Sequence, residues 1–177
     1  LESLERAVTP ARPFNPAESR HTWRVAASDS SGSTILLPAM AAIRSAAPAT
    51  RLAVLDLVPS HIAKQAEQGE TDLAFHTAEG SPPGLRRRTL FTERYVLAGR
   101  VGHPRLHPQL TLAEFCELEH VIVSPDRGGF HGVTDDALAK AGLKRKVVLS
   151  VPQFLLMMSV LTSTDLVAMV PSRLDRK

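Results

Sequence analysis

Three short stretches carry the side chains best suited to hold a small molecule. Ser28-Asp29-Ser30-Ser31-Gly32-Ser33 lies between a strand-like run and a helix-like run. A helix start offers free N–H groups and the positive end of its dipole, so with these hydroxyls it suits a carboxylate or phenolate. The same serines also read as plain helix caps, through Ser31 or Ser33, and the two roles are compatible. The second stretch is Ser124-Pro125-Asp126-Arg127-Gly128-Gly129-Phe130-His131-Gly132. Its glycines let backbone come close to a ligand, Phe130 can stack on a ring, and His131 can bond a hydroxyl or carboxylate. The alternative is a surface loop with a solvated histidine. The third is Pro152-Gln153-Phe154, at a strand-to-helix junction, where Phe154 could equally be a core residue. The candidate ligand-binding residues are therefore Ser28, Asp29, Ser31, Ser124, Phe130, His131, Gln153 and Phe154.

Catalytic and metal chemistry find less support. Ser124 follows a strand-like run but lacks the flanking glycines of a nucleophile elbow, and neither a P-loop nor a dinucleotide fingerprint occurs. His103 and His107 have i, i+4 spacing, yet Pro104 and Pro108 break any helix that would align them. Met157-Met158 lies in an apolar helical stretch and reads as core. Cys116 has no cationic neighbour to activate it and reads as a small buried hydrophobe. The expectation is a binding module, not an enzyme, with no metal and no cofactor.

Composition is that of a globular protein: 177 residues, 44% hydrophobic and 22% charged. The net charge of +3 is spread evenly, with ten Lys/Arg against nine Asp/Glu in residues 1–89 and eleven against nine in residues 90–177. Arg86-Arg87-Arg88 and Lys144-Arg145-Lys146 are the nearest thing to a basic cluster, and each reads as a solvated strand edge rather than a nucleic-acid surface. A single cysteine fits a reducing compartment. No apolar run reaches membrane-spanning length and no signal peptide is evident, so a cytoplasmic location without membrane contact is expected.

The elements that must position these stretches follow from periodicity and punctuation. Leu1–Val8 carries a short helical stripe, and three prolines between Thr9 and Pro16 make an extended linker. Strand Trp23–Ala27, the turn Ser28–Ser33, helix Thr34–Ala46, strand Arg51–Leu57, helix Ser60–Gln68 and strand Leu73–His76 form a parallel βαβαβ unit. Leu85–Phe91 and Arg94–Arg100 read as two further strands. A second unit holds helix Leu112–Cys116, strand His120–Val123, helix Thr134–Ala141, strand Lys146–Val151, helix Gln153–Thr162 and strand Leu166–Val170. The expectation is an α/β protein of two Rossmann-like lobes with mainly parallel sheets and a hinge near residues 99–104. The division is 1–21 linker, 22–100 first lobe (incomplete) and 101–177 second lobe. Helix Thr34–Ala46 is apolar almost all round, which calls for cover on two sides.

Several segments resemble one known family. Trp23-Arg24-Val25-Ala26-Ala27-Ser28-Asp29 leading to Leu36-Leu37-Pro38 and Gly69-Glu70-Thr71-Asp72-Leu73-Ala74 are two of them. Leu90-Phe91-Thr92-Glu93-Arg94-Tyr95-Val96-Leu97, Gly102-His103-Pro104 and Ser163-Thr164-Asp165-Leu166-Val167-Ala168-Met169-Val170-Pro171 follow in the same order. This pattern resembles the effector domain of LysR-type transcription regulators from about Pro13 to Leu174. It is most similar to the branch that senses aromatic compounds.

The resemblance implies a type 2 periplasmic-binding-protein fold with a small-molecule effector, aromatic or carboxylate, held between the lobes. It also implies a homodimer or higher oligomer, and DNA contact only through an N-terminal helix-turn-helix that this chain lacks. Phe130-His131-Gly132 aligns with a Gly-His-Gly-like stretch that lines the pocket in the aromatic-sensing branch. The family's chain returns to the first lobe after the last strand seen here, so the expectation is a fragment truncated at both ends. The alternative is a free-standing solute-binding protein of the same fold.

Overall fold

The computed structural model describes residues 13–77, 82–124 and 128–174; the helical stripe expected over Leu1–Val8 lies outside them. Strand β1 (Thr22–Ala27) is the centre of the first sheet. It pairs in parallel with β2 (Arg51–Asp56) along its whole length and with the two-residue β3 (Leu73–Ala74) on its other side. A central strand is covered by neighbours on both edges, and Val25, Ala26 and Ala27 are buried accordingly. Asp72 fixes the register of β3. Its N–H donates to the Arg24 carbonyl at 2.9 Å and its carboxylate accepts the Arg24 N–H at 2.7 Å. On β1 itself, Trp23 stands edge-on to the His21 ring at a centroid distance of 4.5 Å.

Between β1 and β2 the chain is helical from residue 29 to 46, called α1 here: Asp29–Ser31, a wide π turn Gly32–Leu36, then Leu37–Ala46. The turn expected over Ser28–Ser33 is thus part of the helix. Ser28 is its cap, with Oγ accepting the Ser31 N–H at 3.1 Å, and the Thr34 hydroxyl bonds back to the Ser30 carbonyl at 2.8 Å. The wide turn, closed by Leu37 N–H on the Gly32 carbonyl, sits next to Pro38. Proline has no N–H to give and its ring crowds the preceding turn, which favours a local i−5 pattern. Helix α2 (Ile62–Glu67) follows a 3₁₀ turn at Pro59–His61 and buries Ile62.

The second sheet is built from β4 (Tyr95–Ala98), β5 (Glu119–Val123), β6 (Lys146–Val151) and β7 (Ala168–Pro171). β5 and β6 are parallel, whereas β4 and β7 are antiparallel. A bridge between His120 and Val167 joins the two pairs, with Val121 N–H on the Val167 carbonyl and Val167 N–H on the Glu119 carbonyl, both at 2.9 Å. Helix α5 (Phe154–Ser163) packs on β5 and β6, while α3 (Leu112–Glu117) leads into β5 and α4 (Val133–Lys140) links β5 to β6. Val121, Val151, Met157, Leu161, Ala168 and Val170 make the core, with Phe154 and Val96 packed against it. Burying each valine, leucine or methionine of this core stabilises by about 1.5–3 kcal/mol.

Two expectations change here. Leu85–Phe91 forms no strand, because no described strand runs beside it to complete a ladder; Arg86, Arg87 and Arg88 are exposed there. Tyr95–Ala98, counted with residues 22–100 on sequence grounds, hydrogen-bonds instead to Ala168–Pro171 in the second sheet. The crossing is stitched at Arg100, whose Nε donates to Asp165 at 2.6 Å, and at the buried His103. His103 Nδ1 accepts the Arg105 N–H at 3.1 Å, so Nε2 carries the proton and donates to the Asp165 carbonyl at 2.9 Å. Both ring nitrogens thus serve the turn.

Candidate functional site

The start of α5 meets the start of α1 across the two sheets. Asp29, in the first turn of α1, places Oδ1 3.2 Å from the Phe154 amide and Oδ2 2.6 Å from the Leu155 amide, so both N–H groups donate to one carboxylate. Helix starts leave such amides without partners, and α5 lacks a cap of its own because the Gln153 side chain makes no capping bond. Behind Asp29, Ser28 and Ser31 hold each other through their hydroxyls at 3.1 Å, and the Ser31 hydroxyl also donates to the Ser28 carbonyl at 3.2 Å. Five of the expected site residues, Ser28, Asp29, Ser31, Gln153 and Phe154, therefore come together in one place. Phe154 does two things there, since its ring packs on the core while its amide faces Asp29.

Ser124 flanks this place. Its N–H donates to the Val151 carbonyl at 2.8 Å, two residues before Gln153, and its hydroxyl accepts the Gly129 N–H at 3.0 Å. Gly129 is held from a second side, by the Ser150 hydroxyl on its carbonyl at 2.8 Å. Gly128 has φ of +74°, a conformation that favours glycine. Residues 125–127, part of the same expected loop, lie outside the described residues.

Phe130 and His131 are placed differently. They line a depression of about 450 Å³ with Asp135, Ala139, Leu143, Lys144, Arg145 and Val147, along the flank of α4. Phe130 is exposed, and His131 Nε2 lies 2.8 Å from an Asp136 carboxylate oxygen with both side chains largely in solvent. Beside them, Asp135 takes Nε and Nη2 of Arg145 at 2.8 Å each, and its carboxylate also accepts the Gly132 N–H at 2.9 Å. Arg145, expected among solvated basic residues, is buried; Lys144 and Lys146 on either side are exposed. Leu155 was not a candidate in the sequence, because what it contributes is a main-chain N–H set by a helix boundary and not a side chain.

The arrangement can hold an acceptor group between two helix starts, with hydroxyls and an amide side chain around it. Among the described residues no cluster of three or more His, Cys, Asp or Glu could hold a metal ion. Among them too, no helix is long and apolar enough to cross a membrane.

Comparison with known proteins agrees over almost the whole chain. Residues 16–177 match the LysR substrate binding domain. The chain is 35% identical over 174 residues to the HTH-type transcriptional activator NagR of Ralstonia sp., covering 98% of this chain and 57% of that protein. It is 34% identical over 176 residues to the HTH-type transcriptional regulator SyrM 1 of Sinorhizobium fredii, covering 98% and 50% respectively. Among solved structures, the probable transcriptional regulator PA0477 from Pseudomonas aeruginosa is similar with a TM-score of 0.79 at 30% identity, over 96% of this chain and 56% of that one. The chain spans about half the length of these curated relatives. Its two-lobed α/β fold and this match from residue 16 onward lead to one assignment: the chain belongs to the LysR substrate-binding domain family.

Proposed function

We propose that this chain is the effector-sensing part of a DNA-binding transcription regulator, and that a small aromatic or carboxylate inducer binds between its two lobes. The observation that carries the reading is the meeting of α1 and α5, where amides of one lobe face polar side chains of the other. Relatives named as transcriptional activators and regulators support a regulator over a free-standing solute-binding protein. The contacting set is Ser28, Ser31, Gln153 and Phe154, flanked by Ser124, with Asp29 at the same place, bonded to the α5 amides. Phe130 and His131 join it only if loop 128–132 releases Asp136.

In this reading residues 22–100, apart from β4, which the second sheet takes, and residues 101–177 are the two lobes, residues 1–21 the linker, and the hinge lies near residues 99–104. DNA contact belongs to a helix-turn-helix outside these residues, and the cytoplasm is the place of action. The molecule works as a homodimer. Its exposed apolar residues Leu37 and Val54 on the first lobe would meet Val133 and Val148 on the second lobe of a partner copy, in a two-fold interface.

Calorimetric titration of the full-length regulator with aromatic acids, phenols and aliphatic carboxylates tests the reading. At least one aromatic compound is expected to bind, and Ser31→Ala with Gln153→Ala to weaken it by about 0.5–1.5 kcal/mol per lost hydrogen bond. Binding that ignores both substitutions, or no binding by any member while the protein still holds its operator, would overturn it.

A further inference from the structure

We propose that Asp29 is a built-in competitor for the effector: its carboxylate fills the acceptor position at the start of α5, latches the lobes together, and must be evicted by any acid that binds there. The inference rests on the reading above and adds what the site gives up when it is filled. Two helix starts converge on this one side chain. Asp29 opens α1 behind the Ser28 cap, and its oxygens reach the amides of residues 125 and 126 positions further along the chain. A carboxylate is the strongest acceptor a side chain can offer to such N–H groups. Among the described residues no ion pair holds Asp29, so the amides and the two helix dipoles are what balance its charge.

A second carboxylate brought to the same amides meets an occupied site and a like charge at contact distance. An acidic effector therefore binds only by displacing Asp29, which couples its binding to loss of this direct contact between the lobes. A neutral ring compound meets no such repulsion. The latch can open without tearing the core, because Leu155 is 71% exposed and Leu156, next to it, 47%.

The experiment uses the full-length regulator in a Cys116→Ser background with spin labels at residues 49 and 140, one on each lobe. Interlobe distances are measured by electron–electron resonance, and binding of benzoate and its neutral isostere benzamide by calorimetry. Asp29→Asn is expected to broaden the distance distribution without ligand, to tighten benzoate about tenfold, the scale of one charge-assisted hydrogen bond, and to change benzamide little. Leu155→Pro deletes an amide from the other side, in the first turn of α5, where that N–H has no partner inside the helix. It should open the lobes alike but gain no benzoate affinity, and it supplies the distance readout if the Asn variant folds poorly. Unchanged distances in both variants, or benzoate tightened no more than benzamide, overturn the proposal, and benzoate binding by the unaltered protein then leaves the effector reading standing. Lobes that open in both variants while benzoate binds no protein, Asp29→Asn included, keep the latch and overturn the competition, and the effector reading is then decided by the wider panel.

Discussion

Asp135 accepts Nε and Nη2 of Arg145 and the amide of Gly132, and the Arg145 side chain is only 3% exposed. Burial raises the Asp135 carboxyl, but the hydrogen bonds and charge of Arg145, with the Gly132 amide, outweigh it and hold the group below the usual carboxylate value. Nearby, burial lowers the His120 imidazole, which bonds the Phe115 carbonyl through Nε2 at 2.9 Å. Both groups bind fewer protons when folded than when unfolded, so both contribute stability at neutral pH that is lost as pH falls. The His120 share goes below the ordinary histidine value of 6.5, and the Asp135 share below the ordinary aspartate value of 3.8. Thermal melts between pH 7 and pH 3 should therefore decline in two stages. His120→Phe should remove the first stage. Asp135→Asn should shrink the second, to which Glu93 and Glu114 also contribute, and cost about 3 kcal/mol at pH 7, because it strands a buried guanidinium. A single-stage decline that survives both changes would refute the assignment. His131 differs, since its pairing with Asp136 is in solvent and contributes little. His131→Ala is expected to leave both stability and benzoate affinity unchanged; a loss of affinity would return loop 128–132 to the site.

Helix α5 divides its work along its length. Its first turn presents amides to the other lobe and leaves Leu155 and Leu156 exposed, and its middle buries Met157 and Leu161. Met157→Ala should cost about 2–5 kcal/mol through a cavity in the second lobe, whereas Leu155→Ala should be nearly neutral in denaturant melts. Equal effects would mean the buried face is assigned wrongly. The apolar pattern of α5 was readable, and so were β1, β2 and β6, because period and punctuation mark them directly. The beginning of α1 was not. Serines and glycine disfavour helix interiors, and only the cap at Ser28 and the contact with α5 make residues 29–33 helical. Leu85–Phe91 failed in the opposite sense, since a strand-like pattern forms no strand without a neighbour to pair with. Of the proposed site, Ser28, Asp29, Ser31, Gln153 and Phe154 are readable from the sequence as residues at or beside helix starts. That Asp29 would face the α5 amides was not, because it depends on how two lobes sit 125 residues apart in sequence.

At the scale of the whole molecule, α1 is covered on one side only. Leu36 is buried, while Leu37 is 65% and Val54 on the adjacent strand 55% exposed. The proposed two-fold pairing supplies the second cover that an apolar helix needs. Sedimentation should show a dimer that Val54→Asp dissociates, and a monomer at every concentration would sink the pairing. The lobes also differ in their cores: the second is a contiguous apolar cluster, and the first relies on Val25, Ala26, Ala27, Leu36 and Ile62. Trp23, edge-on to His21 in that thinner first lobe, is the only tryptophan in the sequence. Indole emission is consequently an optical channel for one lobe alone. On heating, the emission shift should precede the loss of far-ultraviolet ellipticity, which both lobes share, and the gap between the two curves would time the order in which the halves come apart.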